Sequence, residues 1–261
     1  MCIRDRSCKQ ESKSTPADVL PASKAGEQKA PPVNSKPPSG PTGNLNGVVR
    51  FTGEIPEMPA IQSGSDPECA KFEQKAETVL VTKERTLRDV VVRIPPGAAP
   101  SWVPQKKIRV DQKGCMYRPR VQTAVEGQSI EFANDDKTSH NVHAKFMPLS
   151  SRQGTESIVN RGQPAGSPPF NLEVHHSSNV YTLRCDQHAW MRGYVVLSDN
   201  PYAAVTTESA ETTIANVPVG SYKLQAWHAF YGVKEIEVEV LEGKTTNFEF
   251  TYDAATDKPG A

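Results

Sequence analysis

The chain has 261 residues, 36% of them hydrophobic and 23% charged, enough for one or two domains with cores of their own. Thirty basic residues balance thirty acidic ones. That balance removes the positive footprint of a protein that lives on phosphate backbones, so nucleic acid is not an expected partner. No stretch reaches the ~18 consecutive apolar residues of a membrane span.

The chain opens with Met1-Cys2-Ile3-Arg4-Asp5-Arg6-Ser7-Cys8, which carries basic residues but no apolar run, so as written it is not a signal peptide. Two readings of this start stand side by side. Ser7-Cys8 followed by a polar tether matches the junction of a bacterial lipoprotein, with the lipid on Cys8 and the signal sequence missing. The other reading is a plain disordered N-terminus. Residues 1–44, rich in Lys, Ser, Pro, Ala and Gly, are expected to form a disordered tether with a reach on the order of 100 Å.

From Asn44 onward the pattern becomes period-two alternation, with strands expected at 47–53, 89–94, 128–132 and 180–185. In the last, Tyr181, Leu183 and Cys185 share one face, and Thr182 and Arg184 the other. Helical periodicity is nearly absent, and residues 67–78 supply one turn or two at most. Between His143 and Cys185, the runs 150–154 and 162–169 read as an enlarged loop. Near the end, Ile236, Val238 and Val240 alternate with Glu235, Glu237 and Glu239, and Phe248, Phe250 and Tyr252 alternate with polar residues. The expected class is all-β, a sandwich architecture of short strands with frequent turn residues.

The chemistry concentrates in Cys185-Asp186-Gln187-His188-Ala189-Trp190-Met191, a C-x2-H-x2-M spacing where a strand runs into a loop. Upstream lie Asn134-Asp135-Asp136 and His140-Asn141-Val142-His143. One Cys, two His and a weak axial Met make up a blue-copper electron-transfer site, in which soft sulfur favours Cu(I) and imidazole suits both oxidation states. His140 and His143 compete for one ligand position, because residues three apart on a strand face opposite ways. His175-His176 reads as an exposed hairpin tip, and His228 as structural. Cys69 and Cys115 are either a disulfide of an exported protein or two unrelated buried thiols. Six His cannot supply a trinuclear copper cluster beside this site, one Cys cannot supply a binuclear one, and no hydrolase, metalloprotease or phosphate-loop motif occurs. An enzyme is therefore not expected.

Residues 106–198 resemble the cupredoxins, the amicyanin and plastocyanin type above all. The likeness runs through Val125-Glu126-Gly127-Gln128, the strand end at Asn134, His140-Asn141-Val142-His143, and Cys185 to Val196. It implies a Greek-key sandwich holding one type 1 copper, with His140, Cys185 and His188 in the strong plane and Met191 axial. It implies that Asn141 ties the two ligand loops together. It also implies that His188 is the exposed edge for electrons, and that a redox partner protein docks near His188 and Trp190. Ala189 stands where such loops often carry Pro.

Asn216-Val217-Pro218-Val219-Gly220-Ser221-Tyr222-Lys223-Leu224 resembles the V-P-x-G-x-Y-x-L turn of carboxypeptidase regulatory-like, or transthyretin-like, sandwiches, although the Gly usual before that strand is missing. The resulting expectation is a discontinuous module, residues 45–103 and 200–253, with a cupredoxin domain at 104–199 between its halves and a disordered tail at 254–261. Its simpler rival is an N-terminal strand pair belonging to the cupredoxin, plus a compact C-terminal module. The function expected is an electron carrier at the periplasm or cell surface, touching a membrane only through a lipid on Cys8. The alternative is a non-redox cell-surface scaffold or a copper-storage protein.

Overall fold

The computed structural model describes residues 34–151, 153–175 and 179–257; the expectations attached to Cys2, Cys8 and His176 lie outside them. Sixteen strands form among these residues. They are β1 (Thr42–Thr52), β2 (Val90–Arg93), β3 (Ile108–Gln112), β4 (Tyr117–Arg118), β5 (Val121–Val125), β6 (Ser129–Asn134), β7 (His140–Pro148) and β8 (Ser157–Gln163). The rest are β9 (Phe170–Glu173), β10 (Asn179–Arg184), β11 (Arg192–Ser198), β12 (Ala203–Val205), β13 (Thr212–Pro218), β14 (Gly220–His228), β15 (Gly232–Val240) and β16 (Thr245–Asp253). The protein is all-β, and the helical turns expected over 67–78 reduce to one 3-10 turn, Cys69–Lys71.

Two sheets, ordered β4-β3-β6-β9 and β5-β11-β10-β7-β8, enclose a core that includes Val110, Phe132, Val142, Tyr181, Leu183 and Cys185. Two more, β13-β1-β16 and β12-β2-β14-β15, enclose Leu45, Val92, Leu224, Phe248 and Tyr252. Strands from the early and late chain thus pair directly. β1 runs parallel to β16 and antiparallel to β13, and β2 sits between β12 and β14. At Gly47 the approach to β16 is so close that a Cβ would lie 2.0 Å from the Phe248 carbonyl oxygen, so only glycine fits there. The alternation of β15 and β16 follows the side chains, with Val238, Val240, Phe248, Phe250 and Tyr252 inward and the glutamates outward.

A third apolar cluster, including Val91, Val121, Met147, Val180 and Trp227, joins the two sandwiches. Arg93 crosses the same seam, donating through Nη1 to the Leu197 carbonyl at 2.8 Å, and Arg120 pairs with Asp89 at 2.7 Å. Thr182, on the face of β10 opposite Tyr181 and Leu183, is buried too, its hydroxyl donating to the Lys145 carbonyl at 3.4 Å and lying against Gly154. One correction concerns the enlarged loop. It contains two strands, β8 pairing with β7 and β9 pairing with β6. Both lie at sheet edges; β8 is largely exposed and carries no strong alternation, whereas β9 alternates over only four residues.

His228 is buried in the second sandwich, its Nδ1 accepting from the Phe230 and Tyr231 backbone N–H groups at 3.2 and 3.3 Å. Its Nε2 has no partner. Burial, with Arg120 adding to it, pushes the imidazole down to about 3 from 6.5. The unfolded chain therefore binds this proton first as pH falls, and stability drops below pH 6.5 by about 1.4 kcal/mol per pH unit until the folded group titrates. Denaturant unfolding between pH 6.5 and 4.5 is expected to have a shallower pH slope in His228→Phe than in the unsubstituted chain; equal slopes would refute the assignment.

Candidate metal centre

β10 ends at Arg184, and the next residue, Cys185, turns inward at the end of the first sandwich. The turn closes on itself, with Cys185 N–H donating to Met191 O at 3.4 Å and Met191 N–H to His188 O at 2.9 Å. This holds Cys185 and His188 on one side of a short loop. His140 opens β7, which pairs with β10 in register, so the two ligand segments are neighbours by strand pairing. Asn141 ties them further, its Oδ1 accepting from the Asp186 N–H at 2.6 Å.

The result is a buried triad. His140 Nδ1 lies 2.9 Å from His188 Nδ1, and Cys185 Sγ lies 3.6 Å from His188 Nδ1. One ligand atom from each of the three residues falls within 4.8 Å of the others. Exposures are 0% for His140, 2% for Cys185 and 3% for His188. Cys185 is a free thiol, and Met191 is buried in the same apolar cluster. His143 lies apart from this group. It faces the other way, with Nδ1 3.0 Å from Asp186 Oδ1 and Nε2 3.0 Å from Ser157 Oγ.

Two carboxylates hold the imidazoles from behind. Asp136 Oδ2 meets His140 Nε2 at 2.9 Å, and Asp66 Oδ2 meets His188 Nε2 at 3.1 Å. Each carboxylate faces the Nε2 of its imidazole, which turns both Nδ1 atoms toward Cys185, where a metal would take them with loss of any Nδ1 proton. The carboxylates are themselves fixed. Asp136 accepts from the Gly114 and Cys115 N–H groups at 2.6 and 2.8 Å. Asp66 accepts from the Thr138 hydroxyl at 2.7 Å and from the Glu68 and Cys69 N–H groups.

The charges follow from these contacts. Thr138's hydrogen bond, with the backbone donors, holds Asp66 down to about 2 against the cost of burial. Burial works against a charged His140, but Asp136 and Cys185 outweigh it and raise the group to about 9. Burial would raise the Cys185 thiol, yet donation from His140 and nearby backbone N–H groups brings it below its ordinary value. His188 goes down, chiefly through burial. These donors shift the sulfur toward the thiolate, the form that ligates metals, against the cost of burying its charge.

Cys69 and Cys115 form a disulfide, with Cα atoms 5.6 Å apart. The expected exposed histidine edge is not found. His188 Nε2 is covered by Asp66 and by Cys69 Sγ at 3.7 Å, both from the long connection between β1 and β2. Trp190 is half-buried, tilted against the His188 ring with centroids 5.1 Å apart. Its indole N–H donates to Cys115 O at 3.1 Å. Sequence reasoning missed Asp66 and gave Asp136 no role. Asp136 stood four residues before His140, a usable signal, whereas Asp66 lies 122 residues from its partner.

No protein-family model and no curated protein matches this chain. Among solved structures, it is similar to a Cu-containing nitrite reductase from Thermus scotoductus SA-01, at 19% identity and a TM-score of 0.30. That match covers 40% of this chain and 25% of the other, so the chain spans about a quarter of the reductase's length. A Cu(I) amicyanin variant matches at 20% identity and a TM-score of 0.30, over 41% of this chain and 97% of amicyanin. A purple cupredoxin from Nitrosopumilus maritimus matches at 20% identity and a TM-score of 0.28, over 35% of this chain and 99% of its own.

Proposed function

We propose that the chain is an extracytoplasmic electron carrier of the blue-copper type, holding one copper ion and turning over no substrate of its own. The observation that carries this reading is the convergence of Cys185 Sγ with the Nδ1 atoms of His140 and His188 in a buried pocket. The donor set fits the group. One soft thiolate and two imidazoles suit copper in both oxidation states, and burial excludes water that would otherwise compete for a ligand position.

Bound there, copper would supply a one-electron Cu(I)/Cu(II) couple. The rest is the work of the polypeptide. Cys185 offers a thiolate because its surroundings favour the charged form. His140 and His188 offer Nδ1 because Asp136 and Asp66 hold their Nε2 protons. Met191, buried in the same apolar cluster as Cys185, would be the fourth residue to hold the ion. The strands, the closed 185–191 loop and the two carboxylates keep these groups in position whichever oxidation state is present, so little needs to move when an electron does.

The disulfide supports an oxidising compartment, periplasm or cell surface, and no described helix is long and apolar enough to cross a membrane. We read the second sandwich as a carboxypeptidase regulatory-like module split around the copper domain, a reading supported by the direct pairing of β1 with β16 and β2 with β14. Its role is scaffolding.

Copper titration of the full chain followed by native mass spectrometry, then voltammetry of the loaded protein, tests the function. One copper per chain with a reversible one-electron wave is expected. Bound copper without a wave would mean storage, and no bound copper would leave a scaffold.

A further inference from the structure

We propose that electrons enter and leave this centre through Trp190, because Asp66 and the disulfide-clasped segment around it close the histidine edge. The inference rests on the copper reading above and goes beyond it by assigning the route and the face a partner must approach.

The closure is built from several independent contacts. His188 Nε2 faces the Asp66 carboxylate at 3.1 Å and Cys69 Sγ at 3.7 Å, and only 3% of the residue reaches solvent. The Thr138 hydroxyl donates to the same Asp66 oxygen, and the Glu68 and Cys69 N–H groups hold the other oxygen. The disulfide fastens Cys69 to Cys115, next to the β3–β4 turn of the copper domain. A partner docking over His188 would meet this segment rather than the imidazole.

Trp190 offers the way out. Its ring touches the His188 ring, and its own position is fixed by the hydrogen bond to Cys115 O. On its outer side it lines a cleft of about 320 Å³ together with Met116, Arg120, Arg192, Tyr194 and Phe230. The cleft therefore draws on both sandwiches, since Phe230 follows β14. Glu77 also lines the cleft but is already paired with Arg118, and Arg120 is paired with Asp89, while among the described residues Arg192 has no carboxylate within ion-pair distance. The free cation at the cleft favours a one-electron partner protein with an acidic docking surface. In the transfer, one electron leaves the site and reduces the acceptor by one; no bond is made or broken and no proton moves.

The test uses the copper-loaded full chain with ferricyanide as the acceptor, comparing the unsubstituted protein with Trp190→Leu, Trp190→Phe and Arg192→Glu. All four should keep the thiolate-to-copper absorption band. The second-order rate should fall at least tenfold in Trp190→Leu, recover to within about threefold of the original in Trp190→Phe, and fall in Arg192→Glu. A cationic cobalt(III) phenanthroline acceptor should not be slowed by Arg192→Glu. A second readout needs no copper. In the copper-free chain, diethyl pyrocarbonate should modify His143 well before His188, and Asp66→Ala should raise the His188 rate at least fivefold. An unchanged rate in Trp190→Leu with the band intact, or His188 reacting as fast as His143, overturns the route or the closure. Absence of the band in the unsubstituted chain overturns the copper reading and the route with it, and is told apart from failure of the route alone by that band.

Discussion

Cys185→Ser is expected to abolish the thiolate-to-copper absorption of the loaded protein and to weaken copper binding by more than about a hundredfold, since even a residue behind a ligand can cost 10- to 100-fold. The hydroxyl oxygen is a hard, neutral donor and cannot replace the charge of a thiolate held in this pocket. The backbone around it should be undisturbed. Serine is close in size to cysteine, and the N–H groups that serve Cys185 can serve a hydroxyl. Absorption spectra and a competition titration against a copper chelator check this, with thermal unfolding of the metal-free chain as the control for folding. A variant that keeps an intense visible band would place the thiolate elsewhere.

The second large effect concerns the disulfide. Cys69 and Cys115 are 46 residues apart, and closing a loop of that size constrains the unfolded chain by about 4 kcal/mol. For a protein of this size that corresponds to a fall in Tm of about 8–16 °C in the Cys69→Ala/Cys115→Ala variant. The bridge has a second duty, because the backbone N–H of Cys115 helps hold Asp136 and the N–H of Cys69 helps hold Asp66. Copper dissociation, followed with a chelator in excess, should therefore be faster in the same variant. A Tm within 3 °C of the original, with copper released no faster, would show that the clasp is incidental.

These two effects mark the boundary of what could be read in advance. The alternation at Ile236, Val238 and Val240, and at Phe248, Phe250 and Tyr252, is local, and so it announces strands with their inward faces. The C-x2-H-x2-M spacing is local too, and its Cys and His do meet His140 in space. Asp66 was invisible because nothing within its own neighbourhood points to a residue 122 positions away. The same long-range packing hides His188, which sequence likeness places at an open edge and which the connection between β1 and β2 covers. Thr182 illustrates the general difficulty. A polar residue at an alternating position gives no local sign of burial, yet the segment at Gly154 lies against it. The edge strands β8 and β9 escaped notice for local reasons. β8 buries little and shows no alternation, and β9 alternates over only four residues.

The central claim is a copper ion bound by the Cys185 thiolate with His140 and His188, and electron paramagnetic resonance of the Cu(II)-loaded full chain, recorded beside its visible spectrum, tests it most directly. The account predicts a single copper species with an intense thiolate charge-transfer band and a narrow copper hyperfine splitting, both the mark of strong delocalisation onto sulfur. A wide hyperfine splitting with no such band, from a folded protein whose Cys185 thiol still reacts with a thiol reagent, would contradict it.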